Sequence, residues 1–131
     1  MKTKTIKQAA TFHCSPLKVY EVLMDERKHA QLTGAPATIS RKVGGNFSIY
    51  GAYATGKNIE LITGKKIVQT WRSSDWPENE ISVVTFNLQE TKKGTRLSFI
   101  QTGVPEDQYE SIKQGWIDFY WEPMKQLLES K

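Results

Sequence analysis

Three places in this 131-residue chain hold side chains that could do chemistry: His13-Cys14, the isolated His29, and the aromatic run in "GWIDFYWEPMKQ", residues 115–126. A nucleophilic site needs a thiol or hydroxyl with a base in reach, and a metal site needs several His, Cys or carboxylate ligands at matching spacings. His13 and Cys14 are adjacent, so an extended backbone would point them to opposite faces. Cys14 lies just before a helix start, where a thiolate is favoured; a small buried residue at a strand end is the plainer reading. His29 stands alone. No spacing suggests zinc, and Gly44-Gly45 lacks the following Lys-Ser/Thr of a phosphate-cradling loop. We therefore expect no catalytic residue, no metal and no cofactor.

The aromatic residues say more. Trp116, Phe119 and Tyr120 share one helical stripe, whereas Trp121 projects roughly 100° away from Tyr120. Phe47, Ile49, Tyr53, Trp71, Phe86 and Phe99 sit on candidate inner faces of strands. Core and cavity lining need the same residue types, so these side chains are either a solid interior or the walls of a ligand-binding cavity. In the second case Tyr53 and Tyr120 would offer polar tips to orient a ligand. The direction of Trp71 depends on which face of its strand is inward, because Ile67 and Trp71 lie opposite Val68. Trp76, in the turn "SSDWPENE", is read first as a lid folded over the sheet edge. The other reading is an exposed anchor for a partner, with Arg41, Lys42 and Lys57 as the basic rim of a docking face.

Periodicity names the elements that must hold these groups. In "TIKQAATFH" alternation puts Ile6, Ala10 and Phe12 on one side of a half-buried strand. Ser15 can cap a helix with Pro16 at its first position, Val19, Tyr20 and Leu23 forming the apolar stripe. Asp25 can cap a second short helix running to about Leu32 and ended by Gly34. Six strands follow: "ATISRKV", "NFSIYGAY", "KNIEL", "KKIVQTWR", "ISVVTFNL" and "TRLSFIQT". Hairpin links make the sheet antiparallel and strongly curved. Phe47, Ile49, Gly51 and Tyr53 fall on one face, as do Val84, Phe86 and Leu88, and likewise Leu97 and Phe99. After Pro105 the period turns helical, with Ile112, Trp116, Phe119, Tyr120, Pro123 and Leu127 as one wide stripe. Pro123 should kink this helix about one turn earlier. Gly115 weakens helix propensity by roughly 1 kcal/mol relative to alanine, which suggests that the backbone packs closely against a strand or helix there.

Composition sets the class. With 38% hydrophobic and 24% charged residues the chain is globular. Its net charge of +4 is spread out rather than clustered, so no nucleic-acid partner is expected. A single cysteine excludes an intramolecular disulfide and suits a reducing compartment. The N-terminal stretch has no apolar run, so neither signal peptide nor membrane anchor is expected, and the location should be cytoplasmic. The oligomeric expectation is a monomer or weak dimer.

Strand, two short helices, six strands and a long helix is the order of the START-like, helix-grip fold of the SRPBCC superfamily. The segments "LTGAPATISRKVGGNFSIYG", "GKNIELITGKKIVQTWRSSDWPE", "GTRLSFIQTGVP" and "GWIDFYWEPMKQLL" narrow this further. From about Phe12 to Leu128 the chain resembles the C-terminal domain of the activator of the ninety-kilodalton heat-shock chaperone's ATPase and its free-standing homologues. The resemblance implies an α+β fold whose curved sheet of six to seven strands wraps a long C-terminal helix, in one domain over residues 1–131. It also implies a non-catalytic binding or regulatory role with a heat-shock chaperone or other protein as partner. The N-terminal domain of the eukaryotic activator, with its Asn- and Trp-rich signature, has no counterpart in these residues. The alternative role is carrier or sensor of a small hydrophobic ligand. Some START-like folds are enzymes, but no convergent acid–base pair is evident here.

Overall fold

Local signals set the helix ends. Ser15 is extended (φ −68°, ψ 154°), and its hydroxyl accepts the Lys18 amide ahead of Pro16. Asp25 accepts the Arg27 and Lys28 amides, both at 3.0 Å, and Gly34 closes the next helix in a left-handed conformation at φ 75°. In the computed structural model, which describes residues 2–51, 53–77 and 79–129, these caps bound α1 (Pro16–Met24) and α2 (Glu26–Thr33).

Alternation of apolar residues builds the strands: β1 (Thr3–Phe12), β2 (Thr38–Ile39), β3 (Asn46–Ile49), β4 (Ala54–Ile62), β5 (Lys66–Ser73), β6 (Ser82–Thr91) and β7 (Gly94–Pro105). They form one curved sheet in the order β1-β7-β6-β5-β4-β3-β2, every neighbouring pair antiparallel. In β5 the inward face carries Ile67, Gln69, Trp71 and Ser73, which decides the direction of Trp71. Gly56 of β4 has a packing reason: a Cβ there would meet the Thr70 carbonyl at 1.9 Å and the Phe47 ring at 2.7 Å.

The C-terminal helical run covers the concave face. It opens with a single 3₁₀ turn (Glu106–Gln108), continues as α3 (Tyr109–Trp116), widens into a π turn (Ile117–Trp121) and ends as α4 (Glu122–Glu129). The Glu122 amide donates to the Ile117 carbonyl, five residues back. The distortion falls where Pro123 should kink the helix. Pro123 lacks the amide that an α-helix would aim at the Phe119 carbonyl, and the Tyr50 hydroxyl donates to that carbonyl at 3.4 Å instead.

The π turn changes which rings point inward. One extra residue per turn delays the helical face, so Tyr120 and Trp121 are both buried while Phe119 is 56% exposed. This corrects the straight-helix stripe, which placed Phe119 inside and Trp121 outside. Two indoles then fasten the helix to the sheet: Trp116 Nε1 donates to Gln101 Oε1 at 2.8 Å, and Trp121 Nε1 to Gln8 Oε1 at 2.7 Å. Gln101 in turn donates to Ser82 Oγ, and Gln8 to the Lys113 carbonyl, so both amides are satisfied where they sit. Among the described residues no helix is long and apolar enough to cross a membrane.

Candidate functional site

Between α3, the π turn and the β3–β4 hairpin tip lies an open cleft of about 520 Å³. The sheet side contributes Ile49, Tyr50, Tyr53 and Trp71. The helix side contributes Ser111, Ile112, Gly115, Trp116, Phe119 and Tyr120. Tyr50 and Gly51 are both left-handed, at φ 53° and 62°, and this double turn, not strand alternation, sets the position of Tyr53. Tyr50 sits edge-on to Tyr53, Phe119 and Tyr120 at centroid distances of 6.5, 5.9 and 6.3 Å. Burial raises its phenol to about 12, so it is a neutral donor at physiological pH.

Gly115 does not do what its sequence context suggested. Among the described residues a Cβ there would meet within 4 Å only the Phe119 ring, at 3.8 Å, and no strand. Its missing side chain leaves room in the cleft.

The cavity candidates divide into groups. Ile49, Tyr53, Trp71, Trp116, Phe119 and Tyr120 come together around the cleft. Phe47 and Phe86 instead line a small void of about 20 Å³, which Ile49, Trp71, Trp116 and Tyr120 also border. That space suits about one water molecule. Phe99 lines neither cavity and packs against Trp116 at 4.5 Å. Tyr50, Ser111, Ile112 and Gly115 complete the cleft. Periodicity alone did not place Tyr50 there, because the residues around it change backbone region; the Tyr-Gly pair at the hairpin tip was the available signal.

Tyr120 is engaged elsewhere. His29 Nδ1 lies 3.2 Å from the Leu23 carbonyl, which can only accept, so Nδ1 carries the proton and Nε2 accepts from the Tyr120 hydroxyl at 2.9 Å. Burial holds the His29 imidazole below its usual range and pushes the Tyr120 phenol well above its own. The Tyr120 hydroxyl is therefore committed to His29, and Tyr53, 41% exposed, is the better-placed phenol at the mouth. Cys14 is half-buried, and burial raises its thiol despite Lys18 nearby, which opposes a thiolate at this helix start and favours the plainer reading of a structural residue.

The sequence and the fold are those of a known family. The family model described as "Activator of Hsp90 ATPase homolog 1-like protein" matches residues 13–129. The chain belongs to this family. It is 38% identical over 115 residues to the "Activator of 90 kDa heat shock protein ATPase homolog" of Dictyostelium discoideum, covering 87% of this chain and 30% of that protein. It is 32% identical over 122 residues to the human "Activator of 90 kDa heat shock protein ATPase homolog 1", covering 93% and 36%. The chain thus spans about a third of these relatives. In three dimensions it is similar to an "HSP90 activator from plasmodium falciparum", with a TM-score of 0.84 and 24% identity over 98% of this chain and 97% of that one.

In this Hsp90-activator-type domain the docking candidates do not form one face. Trp76 is 3% exposed and packs edge-on against Trp71 of the central strand β5 at 5.5 Å, so it folds back as a lid over that ring, not over the sheet edge, and is not an exposed anchor. Arg72 holds the lid by donating to the Trp76 and Pro77 carbonyls. The indole N–H groups of Trp71 and Trp76 find no acceptor among the described residues, an unfavourable burial of about 1–3 kcal/mol each. Arg41 is paired with Glu21 at 2.6 Å, Lys42 is exposed, and neither lines the cleft.

Proposed function

We propose that this domain is a cytoplasmic, non-catalytic binding module that docks on the ninety-kilodalton heat-shock chaperone and regulates its ATPase, with the aromatic cleft as docking element. The observation that carries this is the cleft itself: apolar, open, and bordered by exposed rings of Phe119 and Tyr53 in a chain whose relatives are named as activators of that ATPase. Large exposed rings beside a pocket are the residue type that dominates protein recognition. The buried His29 has both ring nitrogens occupied, which supports binding over catalysis. The test is to mix the pure protein with the same cell's chaperone and measure ATP turnover and association. Stimulated turnover, weakened by Phe119→Ala, is expected; unchanged turnover with no detectable complex overturns the proposal.

A second reading, a small apolar ligand held in the same cleft, is favoured by its size. A volume of about 520 Å³ lies within the usual small-molecule range of about 300–1,000 Å³. Titration with a solvent-sensitive fluorescent lipid probe should saturate in the native protein and fail in Gly115→Leu, whose side chain would occupy the open space. Absence of saturable binding in both removes this reading.

A further inference from the structure

The rims of the cleft carry a charge opposite to that of the whole molecule. Between residues 106 and 122 the chain has five carboxylates and one ammonium, although its net charge is +4. Ser111, Gly115 and Phe119 line the cleft. Glu110, Gln114 and Asp118 each precede one of these residues, so they stand about 100° round the same helix, on exposed surface beside the opening. Gln114 Nε2 donates to Asp118 Oδ1 at 3.0 Å, and the next exposed carboxylate, Glu122, is already paired with Lys125 at 3.9 Å. The ammonium, Lys113, lies over the Tyr109 ring, 5.5 Å from its centroid. Lys4 of β1 covers that same ring at 4.9 Å, which places both cations on the β1 side.

The opposite rim does not balance this charge. The β3–β4 hairpin from Asn46 to Gly56 contains no charged residue. The Ser74 amide donates to the Tyr53 carbonyl at 2.7 Å, which brings the exposed Asp75 to this side, where one carboxylate oxygen accepts from the Ser73 hydroxyl and the other is left for a cation. Among the described residues no lysine or arginine lines the cleft. Its floor is made of aromatic faces, whose quadrupoles also favour cations. From Ser111 to Phe119 the helical wall is about 12 Å long, enough for roughly four extended residues.

We propose that the cleft takes a short segment of a partner protein in which one or two large apolar side chains are flanked by lysine or arginine. The proposal rests on the docking reading above and adds the chemistry of the partner. Apolar anchors would fill the floor, while the flanking cations would meet Glu110, Asp118 and Asp75. Such rim charges contribute mainly to selectivity and association rate.

Two labelled synthetic peptides with the same Leu-Phe-Leu centre, one flanked by lysines and one by glutamates, test this on the full chain. The lysine peptide should bind at least about tenfold tighter at low salt, and the gap should narrow as salt screens the rim. Glu110→Lys combined with Asp118→Lys should reverse the preference, and Gly115→Trp should abolish binding of both peptides. Amide shifts on titration should centre on Tyr50, Gly115 and Phe119. Equal affinity, a preference for glutamate, or shifts confined to another face overturn the inference. A fluorescent lipid probe that binds saturably and that the lysine peptide fails to displace overturns it too, in favour of a small ligand. Chaperone association that survives while the lysine peptide fails to bind sinks this inference alone. An intact peptide preference without chaperone association sinks only the identity of the partner.

Discussion

The His29 imidazole ties α2 to α1 and to the C-terminal helical run: Nδ1 donates to the Leu23 carbonyl, and Nε2 accepts from the Tyr120 hydroxyl only while the ring is neutral. Burial lowers its folded-state pKa below the ordinary 6.5, with the Leu23 hydrogen bond a smaller opposing effect. The sign of the linkage follows. Above the unfolded pKa of about 6.5 the group is neutral in both states and has no effect on stability. As pH falls below that value the unfolded chain takes up a proton that the folded one resists, so stability declines until the folded pKa is reached. Denaturant midpoints between pH 7.5 and 5 should therefore fall more steeply for the native protein than for His29→Gln; parallel curves would exclude this role. In the sequence His29 was a lone histidine with no visible partner. Tyr120 lies 91 residues away, and no local pattern can report a contact of that separation.

At the level of elements the π turn matters most, because it decides which rings anchor the helix. Trp121 packs nearly parallel to Trp116, at 19° and 5.7 Å, and bonds to Gln8. Phe119 faces the open cleft. Trp121→Ala should therefore cost about 3–5 kcal/mol, the usual range for a buried large ring. Phe119→Ala should stay below about 1 kcal/mol. Urea unfolding of the two variants measures this directly, and the reverse order would restore the straight-helix stripe. Gly115→Ala belongs at the same scale. With only the Phe119 ring near its added methyl, it should stabilise the fold by up to about 1 kcal/mol, read as a higher Tm. A lower Tm would mean that the backbone is closely packed there after all.

Across the whole molecule, the ladders at the two edges of the sheet differ in length. β1, β6 and β7 pair over long stretches, with nine paired positions in each of the β1–β7 and β6–β7 ladders, whereas β2 pairs with β3 at two. Amide hydrogen exchange should be slowest in β6 and β7, and fastest in β2 and the β3–β4 hairpin that borders the cleft. Uniform protection across the sheet would contradict this gradient and argue against a hairpin that adapts to a partner. The caps at Ser15, Asp25 and Gly34, the strand alternation and the helical period after Pro105 were all legible in the sequence, because each depends on neighbours within a few residues. These signals, with the resemblance, determined an antiparallel sheet wrapped on a C-terminal helix and a family of chaperone-ATPase activators. Tertiary structure alone decided that Trp76 closes over Trp71, that Trp121 turns in and Phe119 out, and that Gly115 opens a cleft. Each of those depends on how one backbone distortion meets a distant surface, and periodicity carries no information about such a meeting.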